Sequence, residues 1–455
     1  MRRVKDILIF ILITMIAVAG LSIMYLDNAV NVNAGTVLKR PRIVDKADMN
    51  SKQVVTWDCV WLGRYPQTEI VSSAKQCGTY DKTFGESNDY EVDGNLYTRL
   101  LNASYDNNAD TVINGIKYHR MYKGMSTYRH LSESDYYYNW LDDNITYHYF
   151  RYEPIKWRVL SISDGKILLL SDQILDDQRY NEKTVDITWE KSTIRSWLNG
   201  YGTSQNLSGV DYSNKNFIHK AFTLDEQENI SSVSLKNSNN ISMNTAGGND
   251  TQDKIFLLSE ADVYSTDEAL DNGFILSRSE DEGRKCKAST FAKAMGVNIS
   301  ENKSSQWWLR SPGSFNSTYA ASVSSSGFVS SDVIHQANIG IRPALYIRAS
   351  SSDIYTYAGT VSSDGTEKET NGKKNYTVSY DANGGSGAPA SQKGIVFGES
   401  PIFQCTLSRI IPVKEGYIFS GWSTSNSATI ASYDSGEKID VKSDITLYAV
   451  WERDG

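Results

Sequence analysis

The sequence predicts an α+β protein in which strands and helices are segregated along the chain. Residues 155–171 have a hairpin pattern, with one alternating arm and one apolar arm. Helix-start patterns follow at Ser192, Thr223 and Ser259, and residues 306–347 return to short apolar runs separated by small-residue turns. This order is typical of an α+β domain and not of alternating βαβ units.

Composition limits the classes of function. The 455 residues suffice for two or three domains, and ten Trp and 28 Tyr are typical of folded, core-forming material. The formal net charge of −8 argues against a general nucleic-acid binder. HExxH, CxxC, Walker and dinucleotide-binding motifs do not occur in the sequence, so we predict no metal site and no cofactor.

Residues 1–34 have the pattern of a targeting segment. Basic residues among the first five precede an apolar run over residues 7–26, which is long enough to cross a bilayer as a helix. Small residues near Ala34 offer a signal-peptidase site, and an uncleaved membrane anchor is the alternative. Both alternatives predict a secreted or cell-surface protein, anchored to the plasma membrane in the second.

An exported chain permits disulfides. Of the four cysteines, only Cys59 and Cys77 are close in sequence, and a bridge between them is one interpretation. The other interpretation is that the cysteines are small buried thiols with the packing role of apolar residues.

The main domain begins with a strand predicted over residues 54–62 and ended by residues 63–66. Residues 72–150 are rich in Tyr, Asn and Asp without a regular period, which predicts a loop-rich insertion. Because Tyr buries its ring while its hydroxyl stays wet, the insertion is a lid, a contact surface or a cap over the core.

The hairpin pattern consists of residues 155–162 and 166–171. Lys156 and Arg158 alternate with apolar residues in the first arm, so one face of this arm is expected to meet water. The second arm is apolar throughout, which predicts a central strand buried on both faces. Four helices are then predicted, with starts at Ser192, Thr223, Ser259 and Arg284.

Residues 306–347 predict four short strands that close the domain. Trp308, Arg310, Tyr319 and Arg342 combine flat rings with planar guanidinium groups, which can stack on a sugar or peptide and bind a carboxylate. In the structural alternative, at least one of the two adjacent tryptophans belongs to the core and both arginines pair with buried acids.

Catalytic patterns are weak. The carboxylate pairs Asp142-Asp143 and Asp176-Asp177 lie in polar stretches and are predicted to be solvated turns. Gly-x-Ser-x-Gly does not occur in the sequence. We therefore predict that the protein is not an enzyme.

Six sequence segments resemble a bacterial surface family described as a domain of unknown function. They lie within residues 54–348: WLGRYPQ, YFRYEPIKWRVL, STIRSWLNG, FAKAMG, WWLRSP and GIRPAL. The family resembles a divergent C-type-lectin-like fold, which also houses the formylglycine-generating enzymes. The lectin calcium triplet is incomplete at Glu153-Pro154-Ile155, and a cysteine pair for copper is missing from the sequence. The resemblance therefore implies neither a calcium lectin nor an oxidase.

Residues 349–374 are rich in Ser, Thr, Gly and Lys, which predicts a flexible linker; an edge strand over residues 354–361 is the alternative. Residues 375–453 contain YTVSYDANGG, GYIFSGW and ITLYAVW. These resemble the Listeria–Bacteroides repeat of internalin-type surface proteins, which implies a small β-grasp-like domain with an aromatic core.

Together these patterns predict an extracellular bacterial surface protein that recognises or adheres to a glycan or a protein. The alternatives are an enzyme acting on cell-envelope material and a purely structural spacer. Membrane contact is expected only through the N-terminal segment.

Overall fold

A computed structural model describes residues 30–32, 36–43, 54–73, 90–128, 136–140, 147–351, 354–368, 374–396 and 403–454. The predicted targeting segment, apart from residues 30–32, and Cys77 lie outside these residues. Two compact units divide the chain: a first of Met1–Arg64, Ser126–Asn139 and Ile155–Lys368, and a second of Tyr65–Met125, Trp140–Pro154 and Glu369–Gly455. The predicted domain 54–348 thus has residues in both units.

Strands make up most of the regular structure. Those that begin before residue 150 are β1 (Val30–Val32), β2 (Thr36–Leu38), β3 (Arg42–Ile43), β4 (Val55–Val71), β5 (Tyr90–Val92), β6 (Asp110–Ile113), β7 (Ile116–Met121) and β8 (His148–Ser163). The strands between residues 166 and 256 are β9 (Lys166–Ser171), β10 (Asp176–Asp177), β11 (Ile230–Ser231), β12 (Val233–Leu235), β13 (Thr251–Asp253) and β14 (Ile255–Phe256). The later ones are β15 (Trp307–Pro312), β16 (Tyr319–Val323), β17 (Val329–Val333), β18 (Gly340–Ile341), β19 (Ala344–Arg348), β20 (Thr356–Ser362), β21 (Glu367–Lys368), β22 (Lys374–Asp381), β23 (Gln392–Val396), β24 (Phe403–Thr406), β25 (Tyr417–Ser423), β26 (Lys438–Val441) and β27 (Ile445–Arg453).

The described α-helices are short, and none exceeds eight residues. They are α1 (Gly94–Leu101), α2 (Thr193–Asn199), α3 (Phe217–Ala221), α4 (Leu224–Asn229), α5 (Glu260–Val263), α6 (Asp267–Asp271) and α7 (Thr290–Met295). The protein is therefore β-rich with few helices. Within the described residues, no helix has the length and apolar character needed to span a membrane.

Side-chain caps set the helix starts. The side-chain oxygens of Ser192, Thr223 and Ser259 each accept a hydrogen bond from the backbone N–H three residues later in the chain, which confirms three of the predicted helix starts. The fourth helix was predicted from Arg284 and begins at Thr290 instead, because Ser289 supplies its cap. The interpretation of residues 284–289 as helix was therefore wrong.

The predicted hairpin is confirmed as β8 and β9, with Asp164 and Gly165 at positive φ in its turn. Strand β9 lies between β8 and β19 in the order β11-β19-β9-β8-β4-β20-β21, as expected for a buried central strand. Arg158, predicted to face water, is buried instead, because its Nε donates to Asp172 Oδ1 at 2.6 Å.

Strand β4 does not end at Gly63 as predicted. Gly63 adopts a φ of +65° inside the strand, and a Cβ at this position would lie 2.5 Å from the ring of Phe222. Only glycine combines this φ with such a close approach at little cost. The residue therefore bends the strand and does not terminate it.

The strands that were predicted to close the domain, over residues 306–347, belong to two sheets. Strands β15 to β18 lie in a sheet of order β10-β18-β15-β16-β17, whereas β19 pairs with β9. Arg342 and Pro343 lie between β18 and β19, at the crossing from one sheet to the other. The four short strands predicted over residues 306–347 are therefore five strands, divided between two sheets.

Part of the predicted linker is folded. Strand β20 pairs antiparallel with β4 and forms a hairpin with β21, so these residues of the 349–374 stretch are not a flexible coil. The alternative of a strand near residues 354–361 is confirmed, but β20 lies between β4 and the short β21 and is therefore not the edge of the sheet.

In the second unit, the tyrosine-rich stretch contains β5, α1, β6 and β7, so it is more regular than the predicted loop. Its cluster of buried residues is Ile70, Leu100, Ile113, Tyr118 and Tyr149. The guanidinium of Arg120 lies between the rings of Tyr105 and Tyr147, 4.1 and 4.4 Å from their centroids. Several of the tyrosine rings therefore contribute to a core.

The C-terminal residues form a mixed sheet of order β23-β22-β27-β25. Strands β22 and β27 are parallel neighbours, although they open and close the segment. Trp422 is fully buried, and the rings of Tyr380 and Phe419 meet it edge-on at 4.9 and 5.0 Å between centroids. Aromatic side chains thus contribute to this core together with aliphatic residues such as Val378 and Leu447.

Candidate functional site

Three of the four predicted ligand-binding residues are buried. Trp308 has no exposed surface, and its Nε1 donates to the carbonyl oxygen of Gln178 at 3.1 Å. Arg310 donates through Nη1 to Leu257 O at 2.9 Å and to Asp262 Oδ2 at 2.8 Å. These contacts agree with the structural alternative, in which Arg310 pairs with a buried acid.

Arg342 is also fully buried, but it has no carboxylate partner within ion-pair distance among the described residues. Its Nε donates to Ser171 O at 2.9 Å, and its guanidinium lies over the ring of Trp307, 4.9 Å from the centroid. Burial lowers the pKa of Arg342 to about 10, with nearby Arg158 acting in the same direction. As placed, neither Arg310 nor Arg342 can contact an external ligand, so the binding interpretation of both is not retained.

Tyr319 is the remaining candidate, and it reaches the surface at the start of β16. Its ring lies 5.2 Å from that of Phe315, which is 73% exposed. Phe328 and Ile241 are each 40% exposed, and Met243 is 63% exposed. Exposed apolar side chains of this size are informative only when they lie together.

Arg278 connects the segments that carry these exposed side chains. Its Nε donates to Val329 O at 2.6 Å, and its guanidinium lies 5.5 Å from the ring centroid of Phe328. Nη1 donates to the hydroxyl of Ser242, between Ile241 and Met243, and Nη2 donates to the hydroxyl of Ser314, next to Phe315. We call this surface the Arg278 face; it comprises Ile241, Met243, Arg278, Phe315, Tyr319 and Phe328.

The loop that carries Ile241 and Met243 is fixed by hydrogen bonds to two buried side chains. Asn240 Oδ1 accepts the N–H groups of Ser242 and Met243, and its Nδ2 donates to Glu260 Oε2 at 2.9 Å. The same carboxylate oxygen accepts the N–H of Ile241 at 3.0 Å. Burial raises the pKa of Glu260, whereas these hydrogen bonds act in the opposite direction.

Replacement of Glu260 by alanine is expected to release this loop, because the N–H of Ile241 and the amide of Asn240 lose their acceptor. Amide hydrogen exchange at residues 240–243 should become at least about tenfold faster. Glu260→Gln keeps an acceptor oxygen and should retain most of the protection. Unchanged exchange in the alanine variant would contradict the positioning role of Glu260.

The other side of the Arg278 face depends on two turns. Ser314 is fixed by Ser331, whose hydroxyl accepts the N–H of Ser314 at 2.9 Å. Gly327 has a φ of +83° in the turn before Phe328, and a Cβ there would clash with the backbone of Asp281. The small residues of this turn therefore determine where Phe328 is presented.

The acid pair Asp176-Asp177 is buried in β10, so the prediction of a solvated turn was wrong for this pair. Asp177 Oδ2 accepts the hydroxyl proton of Thr127 and the N–H of Asn338, the latter at 3.2 Å. Oδ1 has no hydrogen-bond partner among the described residues. Asp142-Asp143 lies outside the described residues.

Cys59 is a buried free thiol, which does not support the predicted bridge to Cys77. Cys286 and Cys405 are likewise free and buried, and burial raises the pKa of each of the three thiols. Across the described ranges, His, Cys, Asp and Glu form no group of three or more that could hold a metal ion.

Comparison with known families assigns two segments of the chain. Residues 164–349, which include the whole Arg278 face, match the family described as a domain of unknown function (DUF6273). Residues 376–450 match the Listeria-Bacteroides repeat domain. The chain thus carries a domain of unknown function followed by such a repeat, as its motifs predicted, although the first match begins at residue 164 and leaves WLGRYPQ and YFRYEPIKWRVL outside it. No curated protein and no solved structure matches the chain.

Proposed function

We propose that this protein is a secreted or cell-surface bacterial protein that recognises a partner through the Arg278 face without catalysing a reaction. The supporting observation is that one half-buried arginine, Arg278, lies against the exposed ring of Phe328 and donates to Ser242 and Ser314, whose chain neighbours Met243 and Phe315 are exposed. Soluble proteins rarely expose apolar groups together unless a partner covers them. The apolar run over residues 7–26 is the proposed signal or anchor.

The fold proposed for the first domain is C-type-lectin-like, which its short helices and antiparallel hairpins support. A β-grasp-like fold is proposed for the repeat, supported by the mixed sheet in which β22 and β27 are parallel neighbours. In this proposal the repeat acts as a spacer or a second adhesive module outside the cell.

A protein is favoured over a glycan as the partner. Aromatic residues, Met and Arg are the side chains enriched in the buried centres of protein interfaces, and Phe315, Phe328, Met243 and Arg278 match this composition. An envelope-cleaving role for Asp176 and Asp177 is disfavoured, because both carboxylates are buried.

The test is saturable binding of residues 36–455 to purified cell-surface proteins and to a glycan array, with and without chelator. The double variant Phe315→Ser/Phe328→Ser is expected to weaken binding by about tenfold or more and to leave thermal unfolding unchanged. Leu224→Ser, at a 77% exposed position on α4, is the matched control and should bind normally.

The other outcomes of this binding experiment distinguish the alternative functions. Binding that survives the double variant would move the site elsewhere on the molecule. An absence of saturable binding would favour the spacer. Chelator-sensitive glycan binding would restore a calcium lectin, and turnover of an envelope polymer would establish the enzyme alternative.

A further inference from the structure

We infer that the Arg278 face binds a carboxylate of a partner protein, presented by an acidic residue within an apolar peptide segment. The inference rests on the proposed recognition function and specifies its ligand. It is carried by the hydrogen bonding of one guanidinium group and by the side chains around that group.

The guanidinium of Arg278 is held in one orientation. Its Nε is used by Val329 O at 2.6 Å, and the N–H of Val329 in turn donates to Arg278 O at 3.1 Å. The ring of Phe328 lies beside the guanidinium plane. The two Nη atoms therefore point toward Ser242 and Ser314, which are the chain neighbours of exposed Met243 and Phe315.

This guanidinium has no direct ion-pair partner within the described residues. Arg278 has no carboxylate within ion-pair distance there, whereas Arg158, Arg195 and Arg310 of the same unit each have an aspartate at 2.6 to 2.8 Å. Glu260 interacts with Arg278 over a longer distance; its Oε2 accepts from Asn240 and Ile241, and its Oε1 has no hydrogen-bond partner among the described residues.

The bonds that the two Nη atoms of Arg278 make are long. Each Nη atom donates to a serine hydroxyl at 3.3 Å, whereas charge-assisted bonds to a carboxylate are typically about 2.7–2.9 Å. A ligand carboxylate that displaces these hydroxyls would accept from both Nη atoms at once. The exchange replaces two long bonds to neutral hydroxyl groups by a bidentate ion pair.

The exposed apolar side chains of the Arg278 face determine which residues should flank the acidic residue of the ligand. Phe315, Phe328 and Met243 would shield such an ion pair from water, and shielding strengthens its attraction. A free small anion could not cover these side chains, but a peptide with Leu, Ile or Phe beside its Asp or Glu could. An acidic sugar offers the same carboxylate, and the experiment separates this source from a peptide.

The experiment selects peptides from a random library displayed on phage against residues 36–455 and measures their affinity by calorimetry. Selected peptides are expected to contain Asp or Glu flanked by apolar residues. Changing that acid to its amide should weaken binding by about tenfold or more. Arg278→Gln should cause a similar loss with the acidic peptide and little further loss with the amide.

The matched control is Arg179→Gln, since Arg179 is exposed and pairs with Glu182 at 3.2 Å. This control should bind like the wild type. Peptides that bind equally well as acid and amide would overturn the carboxylate inference but leave the proposed recognition function intact. Binding of an acidic sugar and no peptide would overturn the peptide assignment, and failure to bind any ligand would count against both proposals.

Discussion

Replacement of Arg310 by alanine is expected to lower the free energy of unfolding of the first unit by about 3–5 kcal/mol. The variant leaves the buried carboxylate of Asp262 without its cation and removes the donor to Leu257 O. A loss of this size lowers the midpoint of thermal unfolding by about 10 °C for a unit of this size. Circular dichroism of the full chain, followed during heating, measures the effect.

The control for this prediction is Arg179→Ala. Its partner Glu182 is solvent-exposed, so the loss should stay below about 1 kcal/mol. If Arg310→Ala had the same midpoint of thermal unfolding as the wild type, the buried ion pair would not stabilise the unit.

The sequence predicted local structure correctly where neighbouring residues determine that structure. The turn at Asp164 and Gly165 and the capping serines and threonine act over three or four residues, so the hairpin and three helix starts could be predicted. Gly63 was wrongly predicted to end a strand, because its neighbours in sequence do not distinguish a glycine that ends a strand from one within it; its close contact with Phe222 arises only after folding.

The arginines of the closing strands show a different limit. Asp262 lies 48 residues before Arg310, so sequence alone could not decide between a buried acid and an external ligand as its partner. The site itself had no local signal. Arg278 meets Ser242 and Ser314, each 36 residues away, only after folding.

Asp177 is a second buried charge whose environment depends on distant parts of the chain. Thr127 and Asn338 donate to its Oδ2, and Gly296 at the end of α7 lies so close that a Cβ there would clash with the carboxylate. Burial raises the pKa of Asp177 from 3.8 to about 7, and the neighbouring Asp176 acts in the same direction. The two hydrogen bonds oppose this shift but do not cancel it.

The shift has a definite consequence for stability. Because the native state holds this proton more tightly than the unfolded state, the contribution of Asp177 is present below about pH 4 and is lost as the pH rises to about 7. The size of the loss is at most about 4 kcal/mol for a shift of this extent. Above pH 7 the wild-type protein carries the full cost of a buried carboxylate.

Asp177→Asn removes that cost, because the amide stays neutral while its oxygen can still accept from Thr127 and Asn338. The variant is expected to gain stability relative to the wild type as the pH rises from about 4 to 8, by up to about 4 kcal/mol. Urea denaturation at several pH values measures this difference. Asp364→Asn is the control and should show no such gain, because the pKa of exposed Asp364 is lowered by its bonds from Thr366. Parallel stability profiles for Asp177→Asn and the wild type would show that Asp177 ionises in the native state as readily as in the unfolded chain.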